Sequence, residues 1–147
     1  MAWRQMTEAE CGALAEARLG GALFWMVIAA ATVAAAALAG AIIDPRPLAA
    51  LGLRYTVAVA FVGIWSALFV VMTLLHLRAT PQVVSAGLLA WIAWRLATAL
   101  LSRAGWPLAV DLLGEALLAA GFCGYMAEGL RPNAYYRRRL PVQRAGI

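Results

Sequence analysis

Four long apolar runs, separated by short charged or proline-bearing breaks, constrain this chain more than anything else in it. The first is Gly20 to Ile43, closed by Asp44-Pro45-Arg46-Pro47, a turn that no helix continues through. The second is Tyr55 to Leu77, framed by Arg54 and Arg78. The third runs from Val83 to Leu101 after Thr80-Pro81, and the fourth from Trp106-Pro107 to Met126. Each is roughly 19–24 residues, enough at 1.5 Å per residue to cross a hydrocarbon core about 30 Å thick. Of the 147 residues, 65% are apolar and 13% charged. A soluble domain of this length has no interior large enough to hide that much apolar surface. The sequence therefore predicts an all-α fold, an integral membrane four-helix bundle.

The expected organisation has three parts. Residues 1–19 form an N-terminal tail, residues 20–126 the transmembrane domain, and residues 127–147 a basic C-terminal tail. The spans fall near 20–43, 55–77, 83–101 and 107–126. In the N-terminal tail, Thr7 with Glu10 three residues on makes a capping box, and Ala, Leu and Glu carry a helix forward toward Gly20-Gly21. Ala37-Leu38-Ala39 resembles a signal-peptidase site, but Glu8, Glu10 and Glu16 precede it where a signal peptide wants positive charge.

The net charge of +5 comes from arginine alone, since the chain has no lysine. Most of these arginines flank helix ends, which points to interfacial anchoring and orientation rather than to nucleic acid. With both termini on one side, that side carries Arg4, Arg18, Arg78, Arg131, Arg137, Arg138, Arg139 and Arg144. The other carries Arg46, Arg54 and Arg103. The positive-inside rule then places both termini in the cytoplasm of a bacterial inner membrane. Arg131, Tyr135, Tyr136, Arg137, Arg138 and Arg139 read as a membrane-interface anchor favoured by phospholipid headgroups, with a protein docking site as the alternative.

Arg95, Asp111 and Glu115 are ionisable residues inside the third and fourth runs. Each costs up to roughly 2.5–3.5 kcal/mol at the centre of an inserted helix and less toward its ends. By helix rise, Arg95 lies about 9 Å from the end of its run, and Asp111 and Glu115 about 6 and 12 Å from the start of theirs. The acids are four apart and share one face, and the Ser102–Trp106 connection is short enough to make the two helices antiparallel neighbours. Arg95 is therefore expected to reach both, as an intramembrane ion-pair cluster that fixes helix register. One acid is left over. A site in which that carboxylate carries a proton or a cationic ligand is the functional alternative. Trp91 precedes Arg95 by one turn, a spacing that allows stacking on the guanidinium.

Small residues supply the other pattern. Gly114 and Gly121 leave gaps beside the acids, and Ala116, Ala120 and Gly124 form a smooth row on the far side. The first helix is smoother still, with alanines from Ala29 to Ala41 and Gly40 among them. Four short helices cannot bury so many small faces among themselves, so partner subunits or further copies are expected.

His76 is the single histidine and cannot supply a bis-imidazole haem site, although one axial bond to haem or chlorophyll stays open. No cofactor or metal is expected. Cys11 and Cys123 lack a CxxC partner, and no Ser–His, phosphate-loop or HExxH pattern occurs. An enzyme is not expected.

Leu19-Gly20-Gly21 opens the first run, and the last leaves as Tyr125-Met126, then Arg131, then Tyr135-Tyr136 and a basic end. This layout resembles a family of small four-helix bacterial membrane proteins classed as a domain of unknown function. They share a glycine pair entering the first helix and a closing pattern of aromatic, small residue, Arg and aromatic. Gly129 stands where that family often has Ser, and Pro132 where it has Val. The resemblance implies the fold and no activity. Small multidrug transporters also have four helices, but their essential acid lies in the first helix, which here has no charge.

Together these features predict an accessory or structural membrane subunit whose partners are the bilayer and other subunits or its own copies. A small proton-linked transporter is the alternative.

Overall fold

The computed structural model describes residues 3–43, Arg46, Ala50, residues 52–101 and residues 106–142. Most of the expected Asp44–Pro47 turn, the connection at 102–105 with Arg103, and the end of the chain with Arg144 lie outside the described residues. The elements run β1 (Trp3–Gln5), α1 (Glu8–Ala13), a 3-10 turn (Ala15–Ala17), α2 (Gly21–Ile43), α3 (Leu53–Leu74), α4 (Thr80–Leu101), α5 (Trp106–Glu128), α6 (Leu130–Arg137) and β2 (Arg139–Pro141). Helices α2, α3, α4 and α5 are long and apolar enough to cross a membrane.

Helix ends follow local chemistry. Gly52 enters α3 at φ 86°, a conformation that costs glycine little. At the other end of α3, His76 N–H donates to the Thr73 carbonyl at 3.0 Å and Leu77 N–H to that of Met72 at 3.1 Å. This is a Schellman stop, with His76 at φ 52° in the position glycine usually takes. The helix therefore ends at Leu74, short of the expected 77. Helix α4 starts at Thr80, earlier than expected, because Pro81 falls in the first turn, where a missing N–H has no partner to lose.

The chain forms two compact units, Leu19–Leu77 and the pair of segments Met1–Arg18 and Arg78–Ile147. In the first, α2 packs on α3. The two come close at Gly63, where an added Cβ would lie 2.7 Å from the Ala37 Cβ. Burial is concentrated at one end, in Leu23, Val27 and Ala30 of α2 and in Ser66, Phe69, Met72 and Thr73 of α3. Toward the other end the two helices leave an apolar groove of about 420 Å³ lined by Ala34, Leu38, Ala41, Val59, Ala60 and neighbours.

In the second unit, α4 packs on α5. Contacts at Ser85–Cys123, Arg95–Glu115 and Trp91–Glu115 run in opposite directions along the two helices, so the pair is antiparallel. Leu112, Glu115, Ala119, Phe122, Cys123 and Met126 are among the buried and half-buried positions of α5 and form a helical stripe. Helix α6 follows at once. Gly129 makes the junction possible, since any Cβ there would collide with the Tyr125 carbonyl oxygen. Asn133 clamps it, its amide donating to the carbonyls of Ala127 at 2.9 Å and Gly129 at 3.0 Å.

One expectation needs correction here. The tail helix stops at Ala13, where Leu14 turns extended at ψ 129°, and does not run on toward Gly20-Gly21. The long elements are all helical, as expected, and one short pairing of the tails is added to them. Strand β1 pairs antiparallel with β2, Trp3 opposite Pro141 and Gln5 opposite Arg139, so the two tails are woven together.

Candidate functional site

Helices α4 and α5 bring Arg95 to Glu115. The Arg95 Nε–H donates to Glu115 Oε2 at 3.1 Å and an Nη2–H donates to Oε1 at 2.8 Å. One edge of the planar guanidinium thus matches both carboxylate oxygens, the geometry in which such pairs are strongest. The Trp91 indole N–H adds a third donor, to Oε2 at 3.1 Å, and its ring stands 6.0 Å from the Arg95 Cζ. Trp91 in turn packs on Trp94, ring centres 5.2 Å apart. The Arg95 and Glu115 side chains keep 27% and 32% of their surface exposed, so the clasp lies at the flank of the helix pair and not in a sealed interior.

Asp111 does not join. It is exposed, and among the described residues no hydrogen bond or ion pair reaches it. The antiparallel register explains this. It sets Arg95 level with Glu115 and puts Asp111 one turn nearer the α4–α5 connection, level with Thr98. Of the expected three-residue cluster, the structure thus joins two and adds Trp91.

The small residues expected to pack helices face open space at their glycines. An added Cβ at Gly40, Gly114, Gly121 or Gly124 would meet nothing within 4 Å. Ala116 is half-buried, while Ala120 is exposed. A close helix–helix approach is found instead at Gly63, which sequence reading passed over. Its signal was the small pair Ala60 and Ala67 one turn to either side.

The C-terminal arginines and tyrosines divide by role. Tyr135 and Tyr136 are 6% and 1% exposed, packed edge to face with ring centres 5.0 Å apart. The expected headgroup anchor is therefore corrected at these two positions, because their rings already lie against protein. Desolvation pushes the Tyr135 phenol above its ordinary pKa. Arg131 is structural too, its Nη1 donating to the carbonyls of Ala15 at 3.1 Å and Arg18 at 3.2 Å, which ties α6 to the N-terminal tail. Arg137 donates to Asn133 Oδ1 at 3.2 Å, within one turn. Arg138, at φ 51°, turns the chain out of α6 into β2, where Arg139 follows.

Sequence reading found the Thr7–Glu10 capping box but missed its second use. Glu10 accepts from Thr7 N–H at 2.8 Å and takes both terminal nitrogens of Arg4, one of them at 2.9 Å. The Arg4 guanidinium and the Thr7 amide hold the Glu10 carboxyl down at about 2.

His76 is exposed, its Nδ1 3.0 Å from the Leu74 carbonyl of its own turn. Cys11 and Cys123 are free thiols, half-buried. Among the described residues no three His, Cys, Asp or Glu gather in a way that could hold a metal ion.

Comparison with known proteins finds no matching family model, and no curated protein or solved structure similar to this chain. Function has to be argued from the residues.

Proposed function

We propose that this chain is a non-enzymatic accessory or structural subunit of a larger complex or homo-oligomer in the bacterial inner membrane. Its four long helices cross the bilayer and both termini lie in the cytoplasm. One observation carries the reading: Gly40, Gly114, Gly121 and Gly124 each have open space where a Cβ would be. In lipid, helices associate through close backbone approach at small residues, and these positions offer it to a helix from outside their own pair. The Arg95–Glu115 clasp fits the same role, holding α4 and α5 in register while those faces stay free. Large apolar side chains such as Ile43 at 81% exposure, Leu101 at 84% and Leu118 at 78% suit a lipid or helix environment. The layout shared with small four-helix bacterial membrane proteins of unknown function accords with this.

Native mass spectrometry of protein extracted gently from its host tests the reading. A defined assembly of several subunits is expected. A stable monomer with lipid as its sole companion would sink it.

A second reading, a small proton-linked transporter, draws on Asp111, an exposed carboxylate in an apolar helix. It requires that Asp111→Asn abolish a pH-dependent flux in proteoliposomes while leaving the fold intact. Glu115, already held by three donors, is the weaker candidate for that proton.

A further inference from the structure

Three arginines line one cleft beside the start of α4 without a carboxylate among them. Arg78 comes from the turn before α4, Arg137 from the end of α6 and Arg139 from β2. Gln5 of β1, Ala79 and Gln82 complete a wall around about 450 Å³. Elsewhere Arg4 and Arg95 each take a carboxylate, and Arg18 and Arg131 take backbone carbonyls. Among the described residues neither Arg78, Arg137 nor Arg139 forms an ion pair. The one recorded contact of these side chains is from Arg137 to the neutral Asn133 amide oxygen.

Guanidinium groups converging on one cleft repel one another unless an anion lies between them. Planar forks of N–H donors suit phosphate oxygens in particular. Ala79 and Gln82 make the amino-terminal end of a 22-residue helix part of the wall, and its dipole adds to the positive field. The Gln5 and Gln82 amides can donate to ester or hydroxyl oxygens, which guanidinium alone distinguishes poorly. The segments that meet here are far apart in sequence, so the cleft exists only when β1 and β2 are paired. It is a product of the fold rather than a run of basic residues.

We infer that this cleft binds a phosphate group, carried either by a phospholipid headgroup or by a soluble phosphate ester. The inference concerns residues outside the helix faces invoked for assembly, and it stands or falls separately from that reading.

The test uses the full chain in a neutral detergent, with thermal unfolding as readout. The probes are short-chain phosphatidic acid, short-chain phosphatidylcholine, glycerol 3-phosphate and sodium chloride at matched ionic strength. Saturable stabilisation by phosphatidic acid or glycerol 3-phosphate, beyond that of chloride, is expected. Arg78→Gln should weaken it about tenfold or more, the effect of losing one hydrogen-bonded charge. Arg54→Gln removes another exposed arginine, in the first turn of α3, and should leave it unchanged. Tighter binding of phosphatidic acid than of glycerol 3-phosphate identifies a lipid headgroup, and equal affinity identifies a soluble ester. Stabilisation by chloride alone, or equal loss in Arg54→Gln and Arg78→Gln, overturns the inference. Arg139→Gln repeats the test from a second wall and should weaken binding in the same way.

Discussion

At φ 52° the His76 backbone crowds its own side chain against the next carbonyl, a cost of roughly 1–2 kcal/mol for an L residue. His76→Gly removes that crowding and gives back part of the gain as chain entropy. It should stabilise the α2–α3 hairpin by about 0.5–1 kcal/mol, visible as a higher melting temperature in detergent. His76→Ala should show no such gain, which separates backbone relief from loss of the imidazole. The Arg4–Glu10 pair offers a pH test at the same scale. Its carboxyl titrates at about 2 in the folded chain against an ordinary 4.5. The folded value is the lower one, so the pair stabilises in full above about pH 4.5 and its contribution fades as the pH falls toward 2. Protection of the amides over residues 3–18, measured as exchange relative to the unfolded-chain rate at each pH, should therefore fall across that window. In Glu10→Gln that protection should already be low at neutral pH and change little with acid.

The two helix pairs are held by different means, and each has its own perturbation. Between α2 and α3 the contact is steric. Gly63→Leu would force its side chain into Ala37 and should cost about 1–3 kcal/mol, with Ala37→Gly restoring part of it. Between α4 and α5 the contact is ionic. Arg95→Ala leaves Glu115 with an uncompensated charge and should destabilise by about 3 kcal/mol, a little under a fully enclosed pair. Arg95→Met combined with Glu115→Leu should recover most of that, since no charge remains to desolvate. Equal losses in the single and double variants would mean that the pair's packing, and not its charge, holds the helices. The elements also show what sequence could reveal. Hydropathy and proline placed α2 to α5 within a few residues, because solvent alone dictates them. The choice of Glu115 over Asp111 was hidden, because it depends on a register offset of one turn. The small face that packs, Gly63, was likewise indistinguishable from those left open, such as Gly114 and Gly124. Composition records which surfaces are smooth and not which of them meet.

For the molecule as a whole, the open faces predict that assembly and folding can be separated. Ala120→Leu and Gly124→Leu add bulk where nothing lies within reach of the Gly124 Cβ position. They should lower the subunit count in native mass spectrometry while leaving the stability of the dissociated chain within about 0.5 kcal/mol of the parent, as for sites without partners. Unfolding instead would show that these positions pack within the chain. The joined tails were the least legible part of the fold. Strands of three residues carry almost no pattern, and a pairing between Trp3 and Pro141 lies beyond any local signal. The same pairing sets an order of events during synthesis. Trp3 leaves the ribosome before any of the long helices and Pro141 after all of them. Throughout translation β1 must therefore wait without its partner, open to proteases. A defect confined to β2 would then be read by the cell as damage at the opposite end of the chain.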